Sequence, residues 1–433
     1  MSSDRRPTRV LRIIARLNTG GPAIHTILLT RELNGDHFSS QLVTGVVGPD
    51  EGDMSFYAEQ MSVTPIVIPE LQRNPKPLDD LRALMKICQL IFATRPDVIH
   101  THTAKAGAVG RVAGLIYNLC ARLTGRPRAV VCHTFHGHLF HGYFPRWISA
   151  LLILGERVLA RVSDRIITVS EQLKHELTRV YRICPEEKCT VVPLGLDFRW
   201  VSQLEARRGT LRSEVGLPSR DLAIGIIGRL TAIKNHELFL QVARDCQIPG
   251  ARFFIIGDGE RRAALRELAE RLGLNGRVVF TGWQRDLAKV YSDLDIVCLT
   301  SLNEGTPLVL IEAMAAGLPV VATKVGGVRD LMAGSGNLTP DGMEIFSNGI
   351  VVPPNRPDLF RIGLEFLASR PDVRQEMSAS GQSFVRERFS VERLVSETTS
   401  LYLNLLATKR VVRLPKRGKF HPGRYVGGAK GRG

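Results

Sequence analysis

Aromatic residues, paired cysteines and long apolar runs are all scarce in this chain. Aromatic side chains make up 6% of its 433 residues, whereas hydrophobic residues make up 44%, so we expect sizeable cores of aliphatic side chains. The seven cysteines include no CxxC pair, which predicts buried free thiols in a reducing cytoplasm. No run reaches the roughly 20 apolar residues that span a bilayer, and Arg12 interrupts the first apolar stretch. We therefore expect neither a spanning helix nor a signal peptide.

Positive charge is abundant and unevenly distributed. The formal net charge is +16, and residues 409–433 contribute nine lysines or arginines and no acid. Such an excess is typical of a solvated basic surface, a nucleic-acid-binding protein or a protein that contacts anionic membranes. The sequence has no recognised nucleic-acid-binding motif, and its aromatics are not interleaved with the basic tail. We therefore expect no nucleic-acid partner. A basic nucleic-acid-binding protein is the less favoured alternative.

Short apolar runs alternate with helix-length segments in the first half of the chain. The predicted strands are Val10–Ala15, Gln41–Thr44, Pro65–Ile68, Val98–Thr101, Ala129–Thr134 and Arg165–Thr168. The predicted helices are Ile24–Leu33, Leu78–Ala93, Gly107–Leu123, Trp147–Val162 and Glu171–Val180. This alternation indicates βαβ units, and continuous apolar strands indicate a parallel sheet that helices cover on both faces.

The same alternation restarts after residues 193–197. The second series of predicted strands comprises Leu222–Ile227, Arg252–Ile256, Val278–Thr281, Ile296–Leu299, Val320–Thr323 and Gly349–Val352. The sequence therefore predicts an α/β protein of two doubly wound, Rossmann-like domains that face each other across a cleft. We place these domains at residues 1–195 and 196–388, and we expect a basic disordered tail at 409–433.

The most informative segment follows the predicted strand Ile296–Leu299. Thr306 is a suitable helix N-cap and Pro307 suits the first helical position, so we expect the helix N-terminus to point into the cleft. Such a terminus is a site for a diphosphate, which Leu308 would border. Gly305 would let the backbone approach the ligand closely.

Two glutamates flank this helix start. Glu312 lies about 9 Å along the axis from Thr306 and leans back toward the N-terminus, so it can accept hydrogen bonds from a ribose. Glu304 precedes the helix, where the sugar end of a nucleotide-sugar would lie. Taken alone, two glutamates eight residues apart are more often solvated surface acids. The adjoining strand, glycine, cap and proline favour the binding site.

A second strand end offers cations. The predicted strand Leu222–Ile227 runs into Gly228 and Arg229, and Lys234 follows. A glycine and two cations at a strand end suit a diphosphate, because they offset its charge. A single Arg or Lys would more often be an ordinary surface cation.

Together these motifs resemble the family-4 retaining glycosyltransferases of the GT-B fold. The resemblance extends to about residue 405 and rests on Gly228-Arg229, Lys234, the Glu304-x7-Glu312 spacing, Gly317-Leu-Pro-Val320 and Gly326-Gly327. It implies that Arg229 and Lys234 bind the donor diphosphate, Glu312 the ribose and Glu304 the transferred sugar. It also implies that a helix at 389–408 crosses back to the first domain. Asp330 stands where the family usually has glutamate, which leaves its role open.

The first half carries a glycine turn and a group of histidines. Gly20 and Gly21 open a helix without the GxGxxG pattern, and in the resembled family this loop faces the donor phosphates and the acceptor. The family also has a histidine before a glycine that contacts the transferred sugar, and His136 matches it. Six imidazoles occur at two predicted strand ends: His100, His102, His133, His136, His138 and His141. No acid accompanies them and no zinc spacing appears, so we favour cleft-lining side chains over a metal site.

The resemblance implies a retaining sugar transfer without a metal or other cofactor. The phrase from His133 to Phe144 resembles enzymes that build capsular, exopolysaccharide and O-antigen units. We therefore expect a nucleotide-sugar donor, taken as UDP-linked, and a glycan or lipid-linked acceptor. A nucleotide-sugar epimerase on the same fold is the alternative enzyme. Residues 143–155 and the tail predict peripheral contact with an anionic membrane surface, at the inner face of the cytoplasmic membrane. The sequence leaves the oligomeric state open.

Overall fold

The computed structural model describes residues 6–48, 52–72, 75–137 and 145–411, which form two sheets flanked by helices. The first sheet is built from seven parallel strands in the order β3-β2-β1-β4-β5-β6-β7. These strands are β1 (Thr8–Ile14), β2 (Phe38–Thr44), β3 (Ile66–Val67), β4 (Val98–His102), β5 (Val130–Phe135), β6 (Arg165–Thr168) and β7 (Cys189–Val191). The helices of this amino-terminal domain are α1 (Gly21–Leu33), α2 (Ser55–Gln60), α3 (Pro77–Thr94), α4 (Ala104–Leu123), α5 (Arg146–Val162) and α6 (Glu171–His175).

The second sheet has eight strands in the order β10-β9-β8-β11-β12-β15-β14-β13, of which the last two pairings are antiparallel. Its strands are β8 (Ala223–Ile227), β9 (Arg252–Ile256), β10 (Val278–Gly282), β11 (Ile296–Leu299), β12 (Val320–Thr323), β13 (Asn337–Leu338), β14 (Glu344–Phe346) and β15 (Gly349–Val352). The helices of this carboxy-terminal half are α7 (Leu204–Arg207), α8 (Thr210–Glu214), α9 (His236–Asp245), α10 (Arg262–Arg271), α11 (Leu287–Ser292), α12 (Leu308–Ala315), α13 (Pro357–Ser369), α14 (Pro371–Phe389) and α15 (Val391–Val411).

Continuous burial explains why both sheets are parallel in their centres. Every residue of β4, β5, β11, β12 and β15 is buried, as expected where helices cover both faces. The two sheets follow the doubly wound pattern that the sequence predicts, with each strand order reversing beside its first strand. The cysteines of the described residues are all free, and five of the seven are buried, which confirms the expectation of unpaired thiols.

The two domains are joined by two neighbouring chain segments. The Leu196 amide donates to the Phe389 carbonyl at 2.8 Å, and the Val391 amide donates to the Leu196 carbonyl at 3.1 Å. Gly195 permits this approach, because a Cβ there would lie 2.6 Å from the Cβ of Leu394. The chain segment around Leu196 is therefore paired with the segment near residue 390.

Helix α15 returns to the amino-terminal domain, as the resemblance implies, and extends to Val411 rather than ending at 408. Its Tyr402 is fully buried. The Tyr402 hydroxyl lies 2.6 Å from His100 Nδ1 and accepts a bond from Arg12 at 3.3 Å. The predicted tail beyond Val411 lies outside the described residues.

Candidate functional site

The carboxyl ends of the central strands of both sheets meet at the cleft. The start of α1, after β1, faces the start of α12, after β11: a Cβ on Gly21 would lie 3.6 Å from Leu308 Cδ1. Across the same gap, a Cβ on Gly305 would lie 2.5 Å from the carbonyl oxygen of His136. The structure thus brings Gly21 and His136 of the amino-terminal domain close to Leu308 and Gly305 of the carboxy-terminal domain.

The predicted helix start at Thr306 is wrong by about one residue. Helix α12 begins at Leu308, and Pro307 is the N-cap with an extended backbone, φ −74° and ψ 105°. Because proline cannot donate an amide hydrogen bond and its ring fixes φ, it stands before the helix as readily as inside it. Thr306 makes no side-chain cap, and its buried hydroxyl has no partner among the described residues. The hydroxyl therefore has an unused hydrogen-bonding capacity beside the helix N-terminus.

Lys234 and Glu304 form an ion pair at the mouth of this helix. Lys234 Nζ donates to Glu304 Oε1 at 2.6 Å, and the Ser301 hydroxyl donates to the same oxygen at 2.6 Å. The Thr300 hydroxyl holds the lysine loop by donating to the Lys234 carbonyl at 2.9 Å. Glu304 is therefore a fixed, largely buried carboxylate and not the solvated loop acid that a lone glutamate would suggest.

Arg229 follows β8 on the same side of the cleft. Its guanidinium is 3.8 Å from Glu260, a loose pair between two partly exposed side chains. Gly228 adopts φ +157° and Gly257 φ +138°, and a Cβ on Gly257 would lie 2.0 Å from the Gly228 carbonyl oxygen. Glycine at 257 therefore lets the two turns pack closely, and Arg229 remains able to turn toward a ligand.

Glu312 lies within α12 against a buried tyrosine. The Tyr291 hydroxyl donates to Glu312 Oε2 at 2.8 Å. Burial raises the pKa of Glu312 to about 7, although the bond from Tyr291 opposes the shift. The sequence reading did not identify Tyr291, whose position within α11 gave no signal of its contact with Glu312.

Gly326 and Gly327 pack against the backbone of the loop that carries Glu304 and Gly305. The Gly327 amide donates to the Gly305 carbonyl at 2.9 Å, and a Cβ on Gly326 would lie 1.7 Å from the Glu304 carbonyl oxygen. Asp330, the departure from the family pattern, accepts a bond from the Gln172 amide of the other domain at 3.4 Å. Its carboxylate therefore contacts the amino-terminal domain at the start of α6.

The described histidines of strands β4 and β5 and the turn after β5 differ in their hydrogen-bond partners. His100 and His133 are committed to the core, where they lie 2.7 Å from Thr134 Oγ1 and 2.8 Å from Thr101 Oγ1. His102 and His136 face each other instead, with 3.0 Å between His102 Nδ1 and His136 Nε2. Burial lowers the pKa of His136 to about 3. His138 and His141 lie outside the described residues.

His25 joins His102 and His136 from helix α1, which the sequence analysis did not anticipate. Its ring centre is 5.0 Å from that of His136 and 5.6 Å from that of His102. Only its position in the sequence could have predicted this contact. His25 lies about one helical turn after Gly20-Gly21, so it is at the same edge of the sheet as the carboxyl ends of β4 and β5.

Comparison with known proteins identifies the family of the chain. Residues 19–200 match the family model Glycosyltransferase Family 4, and residues 207–384 match the model Glycosyl transferases group 1. An Escherichia coli UDP-Gal:alpha-D-GlcNAc-diphosphoundecaprenol alpha-1,3-galactosyltransferase is 26% identical over 377 residues, which cover 86% of this chain and 91% of that protein. A 2-deoxystreptamine N-acetyl-D-glucosaminyltransferase of Streptomyces fradiae is 30% identical over 344 residues, which cover 74% of this chain and 78% of that protein.

Solved structures share the fold. Anabaena HepE in complex with UDP superposes with a TM-score of 0.72 at 20% identity, over 92% of this chain and 100% of that chain. The fold and the two family models together define a glycosyltransferase of the GT-B class. The chain belongs to the family-4 glycosyltransferases, and it is an enzyme of sugar transfer. The comparisons give the epimerase alternative no support.

Proposed function

We propose that the enzyme transfers a hexosyl or N-acetylhexosaminyl group, with retention of configuration, from a UDP-sugar to a lipid-linked glycan intermediate of cell-surface polysaccharide synthesis. The observation that carries the proposal is the Lys234–Glu304 pair before α12, next to Gly305, which faces the His136 carbonyl across the cleft. The E. coli relative is named for a UDP-Gal donor and a diphosphoundecaprenol acceptor, which favours this substrate class.

The donor is expected to lie along α12. The N-terminus of α12, the Thr306 hydroxyl, Arg229 and Lys234 would surround the diphosphate, since free amides, hydroxyls and cations all stabilise phosphate oxygens. Glu312 would accept bonds from the ribose hydroxyls. Gly20 and Gly21 would lie opposite the phosphates, because Gly21 already faces Leu308.

The transferred sugar then falls between Glu304 and His136. Glu304 is already held by Lys234 and Ser301, so it suits a fixed hydrogen-bond acceptor for sugar hydroxyls better than a nucleophile. We therefore propose attack from the face that the diphosphate leaves. The bond from the anomeric carbon to the phosphate oxygen breaks, the acceptor oxygen bonds to that carbon, and the acceptor proton passes to the departing diphosphate. Arg229, Lys234 and the dipole of α12 stabilise the leaving charge in place of a divalent metal.

A donor and acceptor panel tests this proposal. The full-length protein would be incubated with UDP-sugars, with and without a lipid-diphosphate sugar acceptor, and released UDP would be measured. We expect UDP release that depends on the acceptor, and an α product from an α-linked donor by NMR coupling constants. A β product, or interconversion of the donor sugar without any acceptor, would contradict the proposal.

The acceptor also implies a membrane surface, and three helices of the amino-terminal domain could supply it. Helices α3, α4 and α5 pack side by side. Their outward sides carry large exposed apolar residues, here called the apolar face: Leu78, Leu81, Met85, Phe92, Leu115, Ile116, Leu119, Leu123, Trp147, Leu151, Leu152, Leu154 and Val158. A group of exposed apolar side chains on neighbouring helices suits an interaction site. The predicted segment 143–155 is thus one edge of a larger surface, although residues 143 and 144 lie outside the described residues.

Positive charge accompanies the apolar face. Arg122 and Arg146, at the ends of α4 and α5, are exposed, and Arg122, Arg128 and Leu119 line a groove of about 400 Å³. Apolar side chains beside arginines suit an anionic membrane interface, where each cation contributes about 1 kcal/mol. No helix in the described part of the chain has the length and apolar character needed to cross a bilayer.

Vesicle binding tests the surface. We expect the protein to sediment with vesicles of phosphatidylglycerol and phosphatidylcholine at low salt and to be released at high salt. The double variant Leu119→Ser/Leu151→Ser should bind more weakly and still release UDP from a soluble acceptor analogue. Leu338→Ser, which changes an exposed leucine of the other domain, is the control. Unchanged sedimentation of the double variant would rule out this face.

A further inference from the structure

We propose that His25, His102 and His136 form a binding site for a divalent transition metal of the zinc type. The site is assembled from three chain segments: helix α1 and the ends of strands β4 and β5. Two of these segments raised the question of a metal in the sequence, and spacing along the chain argued against it. The third ligand, His25, appears only in the fold.

The ring geometry agrees with one shared metal ion. Three imidazoles on a tetrahedral zinc, with Zn–N bonds of about 2.0–2.1 Å, place their ring centres about 5 Å apart and their ligating nitrogens about 3.3 Å apart. The observed ring centres are 5.0, 5.3 and 5.6 Å apart. His102 Nδ1 and His136 Nε2 are 3.0 Å apart, and one nitrogen from each of the three rings lies within 4.8 Å of the others. Small side-chain rotations would bring the third nitrogen into the coordination sphere.

The protonation state also suits a metal. Imidazole binds a metal in its neutral form, which is the main form of an ordinary histidine at pH 7. Each ring then keeps a lone pair for coordination. Three neutral histidines leave a fourth position open, which is the ligand set of many reactive zinc sites.

The surroundings indicate reversible binding. Buried metal-binding imidazoles usually donate their second N–H to a carboxylate or carbonyl, yet His25 Nδ1, His102 Nε2 and His136 Nδ1 have no partner among the described residues. The fixed charges that act on His25 are cations, Arg12 and Arg393, and they oppose a dication. We therefore expect an exchangeable ion rather than a permanent structural one.

A metal at this site would oppose sugar transfer. This consequence rests on the proposed function, in which the transferred sugar lies beside His136. An ion on His136 would occupy the sugar's place while leaving the diphosphate site at α12 open. Zinc should therefore compete with a UDP-sugar and leave the binding of UDP itself unchanged. We therefore expect the enzyme to be active without a metal and to be inhibited when a metal binds.

Titration of the metal-free, full-length protein with Zn²⁺ and with Co²⁺ tests the site. We expect one equivalent of Zn²⁺ by calorimetry and the visible bands of four-coordinate Co²⁺. The His25→Ala and His102→Gln variants should each weaken binding at least tenfold. His175→Ala, which removes an exposed histidine of the same domain, should bind as the wild type does. Retained stabilisation by UDP would show that the variants are folded.

The experiments test the metal site and the proposed function independently of each other. Absence of stoichiometric binding to the wild type, or full binding by both cluster variants, overturns the metal site. In the transfer assay, zinc inhibition should be relieved by chelator and should be reduced at least tenfold in His25→Ala. Inhibition that is equal in the two proteins would place the ion elsewhere. If no donor supports transfer, the proposed function fails while the titration still decides the metal site.

Discussion

At the residue scale, burial of the Glu312 carboxylate costs stability that a bound ligand can offset. Its carboxylate lies beside Tyr291, and burial raises its pKa to about 7. A folded-state pKa above the unfolded value means that the native protein binds a proton that the unfolded chain has released. The associated stability is fully present below the unfolded pKa and is lost as the pH rises toward 7. Ribose hydroxyls that donate to the ionised carboxylate would offset this cost.

We predict that Glu312→Gln removes this pH dependence. At pH 8 the variant should be more stable than the wild type by about 3 kcal/mol, and at pH 5 the two should differ much less. Thermal unfolding at both pH values measures the effect. UDP affinity should show the reverse trend, with the wild type gaining over the variant as the pH rises from 6 to 8. A variant that is equally destabilised at both pH values would mean that Glu312 stays ionised in the free enzyme.

We also predict that Lys234→Ala lowers kcat by about 10²–10³ fold, because charge on the departing diphosphate would lose its nearest cation and Glu304 its partner. Steady-state kinetics of UDP release measures the change. Lys86→Ala removes a lysine from an ion pair of similar length, 2.5 Å to Glu70, and should keep kcat within about twofold. If Lys234→Ala retains wild-type kcat, the diphosphate lies elsewhere.

At the element scale, the strands and long helices could be predicted because their burial is continuous. β9, β11, β12 and β15 begin and end where the apolar runs do. The short strand β7 and the hairpin of β13 and β14 were missed, because two or three residues carry no measurable period and their pairing is set by tertiary contacts. The start of α12 was misplaced because proline is compatible with both the cap and the first turn.

The sequence could predict only those residues of the candidate site that come soon after the end of a strand. Glu304, Glu312 and Lys234 lie on short stretches after strands, so the topology alone places them in the cleft. His25 and Tyr291 contribute through contacts between distant elements, and a sequence pattern contains no such distances. Proximity of His102 and His136 followed from parallel pairing of β4 with β5, which the alternation did predict.

One buried ion pair joins α4 to α5. Arg111 donates to both carboxylate oxygens of Glu156, at 2.9 and 2.8 Å, and its side chain is fully buried. Burial lowers the pKa of Arg111, while the contact with Glu156 opposes the shift. Removal of one partner leaves an uncompensated buried charge, whereas replacement of both by apolar residues restores a neutral interior.

Arg111→Met should therefore lower the free energy of unfolding by about 3–5 kcal/mol, and Arg111→Met/Glu156→Leu should recover most of that loss. Urea unfolding of the wild type, both single variants and the double variant gives the complete cycle. The exposed pair Arg271–Glu267 on α10 is the control, and Arg271→Met should cost less than about 1 kcal/mol. Additive losses in the double variant of α4 and α5 would refute a coupled pair.

At the scale of the whole molecule, α15 ties the two domains together. Its start follows the paired segments at Leu196 and Val391, and its Tyr402 is buried in the amino-terminal domain. The Tyr402 hydroxyl serves both His100 and Arg12, and burial raises its pKa to about 12. Anchoring of this helix therefore sets how the carboxy-terminal domain is held against the cleft.

Tyr402→Phe should leave His100 Nδ1 and an Arg12 guanidinium nitrogen without this partner, at a cost of about 1–3 kcal/mol. We expect a lower melting temperature and reduced sugar transfer, because a looser α15 weakens the register between His136 and Gly305. UDP affinity should stay close to wild type, since Glu312, Lys234 and α12 all lie within the other domain. Leu403→Ala, on the exposed side of the same helix, should change stability by less than about 0.5 kcal/mol. Equal losses of UDP binding and of transfer in Tyr402→Phe would show that α15 supports the carboxy-terminal domain itself rather than the alignment of the two domains.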